Sequence, residues 1–386
     1  MTTYSQTAPT VISRHRKGTL KIDWFLLVPM IVLLCIGILL VYTSSVVYAD
    51  RYFKDPQFFL KKHLLHVFCG LLLFYAMTEL PRGILVRYAR VLFIVSVVLC
   101  ILVLIPGIGT VAGGARRWLR VGALNFQPSE FAKLCLVIFL AYSLSKREQR
   151  PGTSTPPLLA PFLLVQIPLA LILAEPDLGA PLVTEAIIFA MIFVAGLPLR
   201  VILGMTLLSI PLVYHMAVST PFRLQRLLSF IDPWAYRSST GYQVTEALIS
   251  IGSGGFSGVG LGAGKQKLFF LPEAHTDFIF AILGEELGLL GILLVVTALV
   301  TLVARGFKIA MTTPHPFDRL LGVGLTSIIA VPALLNMAVV TGLLPTKGLP
   351  LPFISYGGSH LVTLLVAIGL LMRMSRDTSR PEGNKP

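Results

Sequence analysis

Asp277, Glu285 and Glu286 stand within ten residues of one another at the head of an apolar run of membrane length, in Leu271-Pro-Glu-Ala-His-Thr-Asp-Phe-Ile-Phe-Ala-Ile-Leu-Gly-Glu-Glu-Leu-Gly288. Ionisable groups at membrane depth are costly and by default mark a functional site facing a bundle interior or a wet cavity. A carboxylate so placed can serve as a general base wherever it reaches the proton to be moved. Asp277 is the first candidate for that chemistry. The competing role is N-capping of the helix that follows, which Thr276 could also supply. With 3.6 residues per turn, Glu285 lies about 80° round the helix from Asp277 and Glu286 about 180°. Both are read as structural, pairing with cations on neighbouring helices.

Cations and helix breakers cluster in three further segments. The connection 106–128 ends in Gly-Ala-Arg116-Arg117-Trp118-Leu-Arg120 and leads through Pro128-Ser-Glu130-Phe-Ala-Lys133 into an apolar run. Glu130 and Lys133, spaced i, i+3, share one helix face and can neutralise each other, whereas Trp118 and Arg120 alone read as interfacial anchors. Lys265 and Lys267 follow a glycine-rich stretch, 254–264, that is not a nucleotide loop. A Walker A motif needs Gly five residues before the Gly-Lys pair and Ser or Thr after it, but Val259 and Gln266 occupy those places. The glycines suit close approach of the backbone to other helices or to a sugar-phosphate ligand. The segment Pro345-Thr-Lys347-Gly-Leu-Pro-Leu-Pro-Phe-Ile-Ser355-Tyr-Gly-Gly-Ser359 is apolar yet full of helix breakers, as in a re-entrant loop buried in protein. Lys347 is its one cation and needs a carboxylate or a phosphate. In the short turn Glu175-Pro-Asp177-Leu-Gly, Asp177 can cap the next helix, and Glu185 beyond it is read as facing a cavity or a partner.

The elements that must position these residues are membrane helices. Of 386 residues 55% are hydrophobic and 13% charged, and a span takes about 20 mostly apolar residues. Ten candidate spans cover 24–48, 60–79, 86–105, 128–145, 158–175, 178–196, 199–219, 277–304, 318–340 and 360–375. An all-α polytopic bundle follows, with a long loop between the seventh and eighth spans. Residues 24–376 form one transmembrane unit between tails 1–23 and 377–386. Lys and Arg divide 18 to 13 in favour of the side holding both termini, with Lys133 inside a span; that side is predicted to be cytoplasmic. The first apolar run is long enough to stay as an anchor rather than a cleaved signal. Cys35, Cys69, Cys100 and Cys135 all lie in apolar runs without metal-ligand spacing and read as small core hydrophobes. The net charge of +14 is scattered over loops, which favours anionic headgroups or a pyrophosphate lipid over nucleic acid.

In this order and at these positions, the segments resemble the SEDS family (shape, elongation, division and sporulation) over roughly residues 20–376. The markers are Gly-Ala-Arg116-Arg117-Trp118, Gln127-Pro-Ser-Glu130-Phe-Ala-Lys133, Glu175-Pro-Asp177-Leu-Gly, Gly241-Tyr-Gln, Leu271-Pro-Glu-Ala-His275-Thr276-Asp277-Phe and the 345–359 segment. Pro345-Thr-Lys347-Gly and Ala281-Ile-Leu-Gly-Glu-Glu are similar to the cell-division type and its sporulation relative; the elongation type usually lacks the Thr-Lys-Gly form. His360 departs from the pattern, standing where a second Ser commonly follows Tyr-Gly-Gly-Ser, and reads as a capping variation.

The resemblance implies a ten-span peptidoglycan glycosyltransferase of the bacterial cytoplasmic membrane, working at the division septum. It would polymerise lipid II, on the extracytoplasmic side, into a glycan strand held on undecaprenyl pyrophosphate. Asp277 is the implied general base. Arg116, Arg117, Lys265, Lys267 and Lys347 are candidates for the phosphates, while Trp118, Glu130, Lys133, His275, Thr276 and Ser355 are placed around the substrate. A divalent cation (Mg or Mn) could share the charge on the leaving group, although no metal-ligand motif stands out. Implied partners are a class B penicillin-binding protein transpeptidase, other divisome proteins and membrane lipid. The alternatives are an elongation-type polymerase of the same family, a flippase for a lipid-linked oligosaccharide, and a non-catalytic scaffold. Motif-rich loops all on one side favour surface chemistry over a flipping path.

Overall fold

The computed structural model describes residues 22–112, 115–122, 124–148, 159–175, 179–198, 200, 203, 204, 207 and 221–378. Among them run α1 (Trp24–Phe53), α2 (Phe58–Thr78), α3 (Arg82–Leu104), α4 (Pro128–Glu148), α5 (Leu159–Ala174), α6 (Gly179–Val194), α7 (Pro221–Ile231), α8 (Tyr242–Gly254), α9 (Ile279–Thr312), α10 (Pro316–Val340) and α11 (Gly358–Thr378). Helices dominate because apolar segments in lipid must satisfy their own backbone groups. Seven described helices are long and apolar enough to cross a membrane. The expected fifth and sixth spans are α5 and α6, of 16 residues each, shorter than the about 20 a perpendicular span takes. The expected seventh, 199–219, lies outside the described residues apart from isolated positions.

Helices α4 and α11 form the centre, buried over 83% and 89% of their apolar stretches, against 28% for α2 and α3. Charged staples tie the bundle together at the end holding the start of α1. Asp23 caps α1 by accepting from the Phe25 N–H, and its carboxylate also takes Arg305 of α9 at 2.8 Å and Ser375 of α11. Asp318 at the head of α10 takes Arg373 of α11 at 2.6 Å, with Arg82 of α3 at 3.6 Å. Within the bundle, Gln166 of α5 donates to Glu185 of α6 at 3.0 Å, so the partner expected for Glu185 is a neighbouring helix. The expected capping residue Asp177 lies outside the described residues. Cys100 and Cys135 are buried, as expected of small core hydrophobes, but Cys35 faces outward from α1.

The opposite end departs from the all-α expectation. A three-stranded antiparallel sheet, β1 (Gly109–Ala112), β2 (Ala115–Val121) and β3 (Leu124–Phe126), in the order β1-β2-β3, occupies the connection before α4. The strand-prone residues Thr110 and Val111 on one side of two glycines, and Trp118 to Val121 on the other, are a hairpin cue; the Arg and Trp content had suggested interfacial anchors instead.

Helix α9 is not the continuous span expected. Gly288 has φ 64° and ψ −160°, which breaks the helix near its head. The freed backbone groups are taken up by the glycine-rich loop: Leu289 and Leu290 N–H donate to the carbonyls of Gly255 and Phe256, while Val259 and Gly260 N–H donate to those of Glu285 and Glu286. A Cβ on Gly288 would strike the Gly258 nitrogen, and one on Gly258 the Glu286 carbonyl. The glycines therefore serve close backbone approach. Replacing Gly288 by Ala is expected to lower thermal stability in detergent by at least about 1–3 kcal/mol, the cost of a strained dihedral. Gly252→Ala, where nothing lies within 4 Å of the added methyl, is expected to be neutral or slightly stabilising. Equal melting temperatures for the two variants would contradict this account of the break.

Candidate active site

Asp277 sits in the turn before α9, not in its first turns as expected. The cap position is held by Phe278 with no side-chain capping bond. The cap position considered for Asp277 or Thr276 thus belongs to neither, and the Thr276 hydroxyl bonds the Glu273 carboxylate at 2.7 Å. The half-buried Asp277 carboxylate lies over the backbone of the 345–357 segment, where a methyl group on Gly348 would come within 2.7 Å of its Oδ2.

Five hydrogen bonds fix this arrangement. Asn336 of α10 donates to the Asp277 carbonyl at 2.8 Å and to the Leu349 carbonyl at 2.6 Å, joining the two segments that face each other. The Ser355 hydroxyl donates to the Thr276 carbonyl at 2.6 Å and accepts from the Leu351 N–H at 2.7 Å. Tyr356 N–H donates to the His275 carbonyl at 3.0 Å. The 345–357 segment is anchored deeper still, with Phe353 and Ile354 against Gly37 of α1, where any side chain would collide with the Phe353 carbonyl. Buried polar groups left without partners are costly; here irregular backbone is held at depth by side chains chosen to bond it.

The site's electrostatics follow from burial and charge. Burial pushes the Arg226 guanidinium of α7 below its ordinary range while the nearby Asp277 charge pulls it back up. Burial also pushes His275 below its ordinary 6.5, with Glu273 opposing, so the imidazole is neutral at neutral pH. Its ring packs among Phe59, Tyr48 and Tyr356, with centroids 4.8, 5.7 and 6.0 Å away. The Tyr356 hydroxyl is pushed up to about 12 by burial and stays protonated.

Of the residues singled out in the sequence, His275, Thr276, Asp277, Ser355 and the half-buried Lys347, which precedes Gly348, converge here. Glu130 and Lys133 form a separate buried constellation between α4 and α11, with Nζ to Oε1 at 2.9 Å. His360 completes it, its Nδ1 2.9 Å from the other Glu130 oxygen; it is a hydrogen-bond partner of that carboxylate, not the expected capping variation. Next to it, the Gln127 N–H donates to Ser359. Arg116 donates to the Leu104 carbonyl at 3.1 Å and Arg117 to that of Glu175 at 3.3 Å, while Trp118 lies in β2. Lys265 is exposed and its N–H donates to Glu285 at 2.7 Å. Lys267 is buried and pairs with Glu286 at 2.7 Å, so its ammonium is engaged by a carboxylate instead of being presented to a phosphate.

Arg226, Asn336 and Gly348 were not singled out. Asn336 was legible in principle as a lone amide within an apolar span, a placement that marks function or close packing. Among the described residues no group of three or more His, Cys, Asp or Glu is placed to hold a metal ion. Asp277 contributes one carboxylate beside cationic Arg226, so a Mg or Mn ion at this site would draw its other ligands from substrate phosphates and water.

A polytopic membrane protein with a carboxylate held where loops fold in at one end of the bundle is the class defined by this fold. The chain belongs to the family described as "Cell cycle protein", which unites FtsW, RodA and SpoVE and matches residues 24–380, in agreement with the SEDS resemblance. It is 40% identical over 355 residues to the probable peptidoglycan glycosyltransferase FtsW of Geobacter metallireducens, covering 92% of this chain and 95% of that one. Among solved structures it is similar to one described under "Structural coordination of polymerization and crosslinking by a peptidoglycan synthase complex", with TM-score 0.77, 31% identity, and 94% and 100% of the two chains covered. It is also similar to the rod shape determining protein RodA of Thermus thermophilus, with TM-score 0.69, 30% identity, and 94% and 99% covered.

The Glu130–Lys133 pair is open to a double-mutant cycle. Removing one partner of a buried pair costs about 3–5 kcal/mol, so Glu130→Ala and Lys133→Ala are each expected to lower the melting temperature sharply. The double replacement is expected to cost less than the sum. Additive losses would show that the two charges do not interact.

Proposed function

We propose that the chain is a peptidoglycan glycosyltransferase that polymerises lipid II for septal wall synthesis, with Asp277 as general base. The observation that carries this reading is the Asp277 carboxylate, half-buried against Gly348 with Arg226 close enough to feel its charge. Family membership, the FtsW name of its relative and the synthase-complex neighbour support the reaction and the division role. The acceptor sugar hydroxyl forms the new bond to the donor's anomeric carbon as the bond from that carbon to the pyrophosphate breaks. The hydroxyl proton passes to Asp277, and the electron pair leaves with undecaprenyl pyrophosphate. A base must be held where it meets that proton; Asn336, Ser355 and Tyr356 hold the backbone at 275–277. Arg226 and Lys347 stabilise the charge growing on the phosphates.

In this reading residues 24–376 make one transmembrane unit of ten spans with both termini cytoplasmic. The Asp277 end faces outward, where lipid II presents its disaccharide. A class B penicillin-binding protein crosslinks the emerging strand, and other division proteins govern when the pair works.

Asp277→Asn separates chemistry from folding, because it keeps the size of the side chain and removes the base. Polymerisation of purified lipid II is expected to fall about 10²–10⁴-fold, with normal membrane insertion and folded yield. Near-wild-type polymerisation by well-folded Asp277→Asn protein would overturn the assignment.

A further inference from the structure

A broadly open groove of about 530 Å³ lies between the turn after α7 and the head of α8, lined by Trp234, Ala235, Arg237, Ser238, Tyr242 and Glu246. We propose that this groove binds the growing glycan strand as it leaves Asp277, a saccharide subsite that extends the glycosyltransferase reading and rests on it.

Its walls have the chemistry that saccharides need. Trp234 is 54% exposed, an amphipathic ring left uncovered by the protein, with an apolar face and a polar edge. The Arg237 guanidinium lies 5.9 Å from the Trp234 ring centroid, and the buried Glu246 carboxylate fixes it at 3.1 Å. More than half of the Arg237 side chain nevertheless remains in solvent, at 53%. A guanidinium carries five donors, which suits sugar hydroxyls and acetamido carbonyls. Tyr242 and Ser238 add hydroxyls. The volume is within the roughly 300–1,000 Å³ usual for small-ligand sites, and the neutralised Arg237–Glu246 pair does not favour a lipid phosphate.

The groove is also built rather than loose. The Gly241 N–H donates to the Tyr236 carbonyl at 3.0 Å and the Arg237 N–H to that of Trp234 at 3.3 Å, while the Thr240 hydroxyl reaches back to the Gln225 carbonyl of α7 at 3.3 Å. Any side chain on Gly241 would strike the Pro233 carbonyl. Position completes the argument. Arg226, which feels the Asp277 charge, lies five residues before the end of α7, about 8 Å along the helix at 1.5 Å per residue. A strand growing at Asp277 and running along α7 meets Trp234 next.

The test uses the purified full chain and a lipid-free, uncross-linked peptidoglycan oligosaccharide, measured by equilibrium dialysis, which needs no turnover. Trp234→Ala is expected to weaken binding about tenfold, the scale of a lost aromatic stacking contact. Trp234→Phe, which keeps a ring, is expected to lose less, and glycan strands made by Trp234→Ala to be shorter. Oligosaccharide binding equal to wild type in both variants, or no binding by the wild type, would overturn the proposal. So would loss of transpeptidase association with saccharide affinity unchanged, which would make the groove a protein interface. If Trp234-dependent binding persists but the wild type makes no polymer from lipid II, the glycosyltransferase reading fails and the saccharide site stands.

Discussion

Two carboxylates buried at a break in a membrane helix constrain the end of this protein that carries Asp277. Glu285 is 3% exposed and Glu286 is fully buried, and neither can remain there without partners. Glu286 takes Lys267 and the Thr43 hydroxyl of α1; Glu285 takes the Ser250 hydroxyl of α8 and the Lys265 N–H. Side chains and the opened backbone at Gly288 therefore bind the same loop, 255–267, from two directions. A glycine-rich segment that would otherwise lose much entropy on ordering becomes a lid fixed to α9. The chain that leaves it has only the turn 271–278 in which to reach the helix head, and that turn carries Asp277.

The 345–357 segment meets this turn from the other side. Asn336 holds Asp277 and Leu349 with a single amide, and Ser355 holds Thr276. Five residues beyond Ser355, His360 joins Glu130 and Lys133 at the centre of the bundle. The Asp277 site is thus linked by short bonds to α4 and α11, the most buried of the seven long apolar helices, and the charged staples at Asp23 and Asp318 hold the far end. Glycosyl transfer gains from such rigidity, because a base that wanders by an ångström loses much of the advantage of proximity.

Much of this could be read in the sequence, for physical reasons that also explain what could not. Charge in an apolar run is conspicuous, so Asp277, Glu285, Glu286 and the Glu130–Lys133 pair stood out, and i, i+3 spacing sufficed to pair the latter. Period and length located the long helices. Partners far apart in the chain were not readable: 59 positions separate Asn336 from Asp277, and 230 separate His360 from Glu130. Lys267 was assigned to phosphate because its partner Glu286 comes from another turn of the fold. The break at Gly288 was hidden because glycine within a helix does not declare its dihedrals. The small sheet was missed because its Arg and Trp residues also suit a membrane interface.

The claim that the buried carboxylates position the turn carrying Asp277 is tested most directly by hydrogen–deuterium exchange of Glu286→Gln against the wild type. This change keeps the side-chain volume and leaves Lys267 without its counter-charge. Stranding a buried charge costs about 3–5 kcal/mol, so amides in 258–267 and 271–278 are expected to exchange about a hundredfold faster or more, while α4 and α11 keep their protection. Unchanged protection across 258–278 would contradict the account and leave the position of Asp277 without its stated cause.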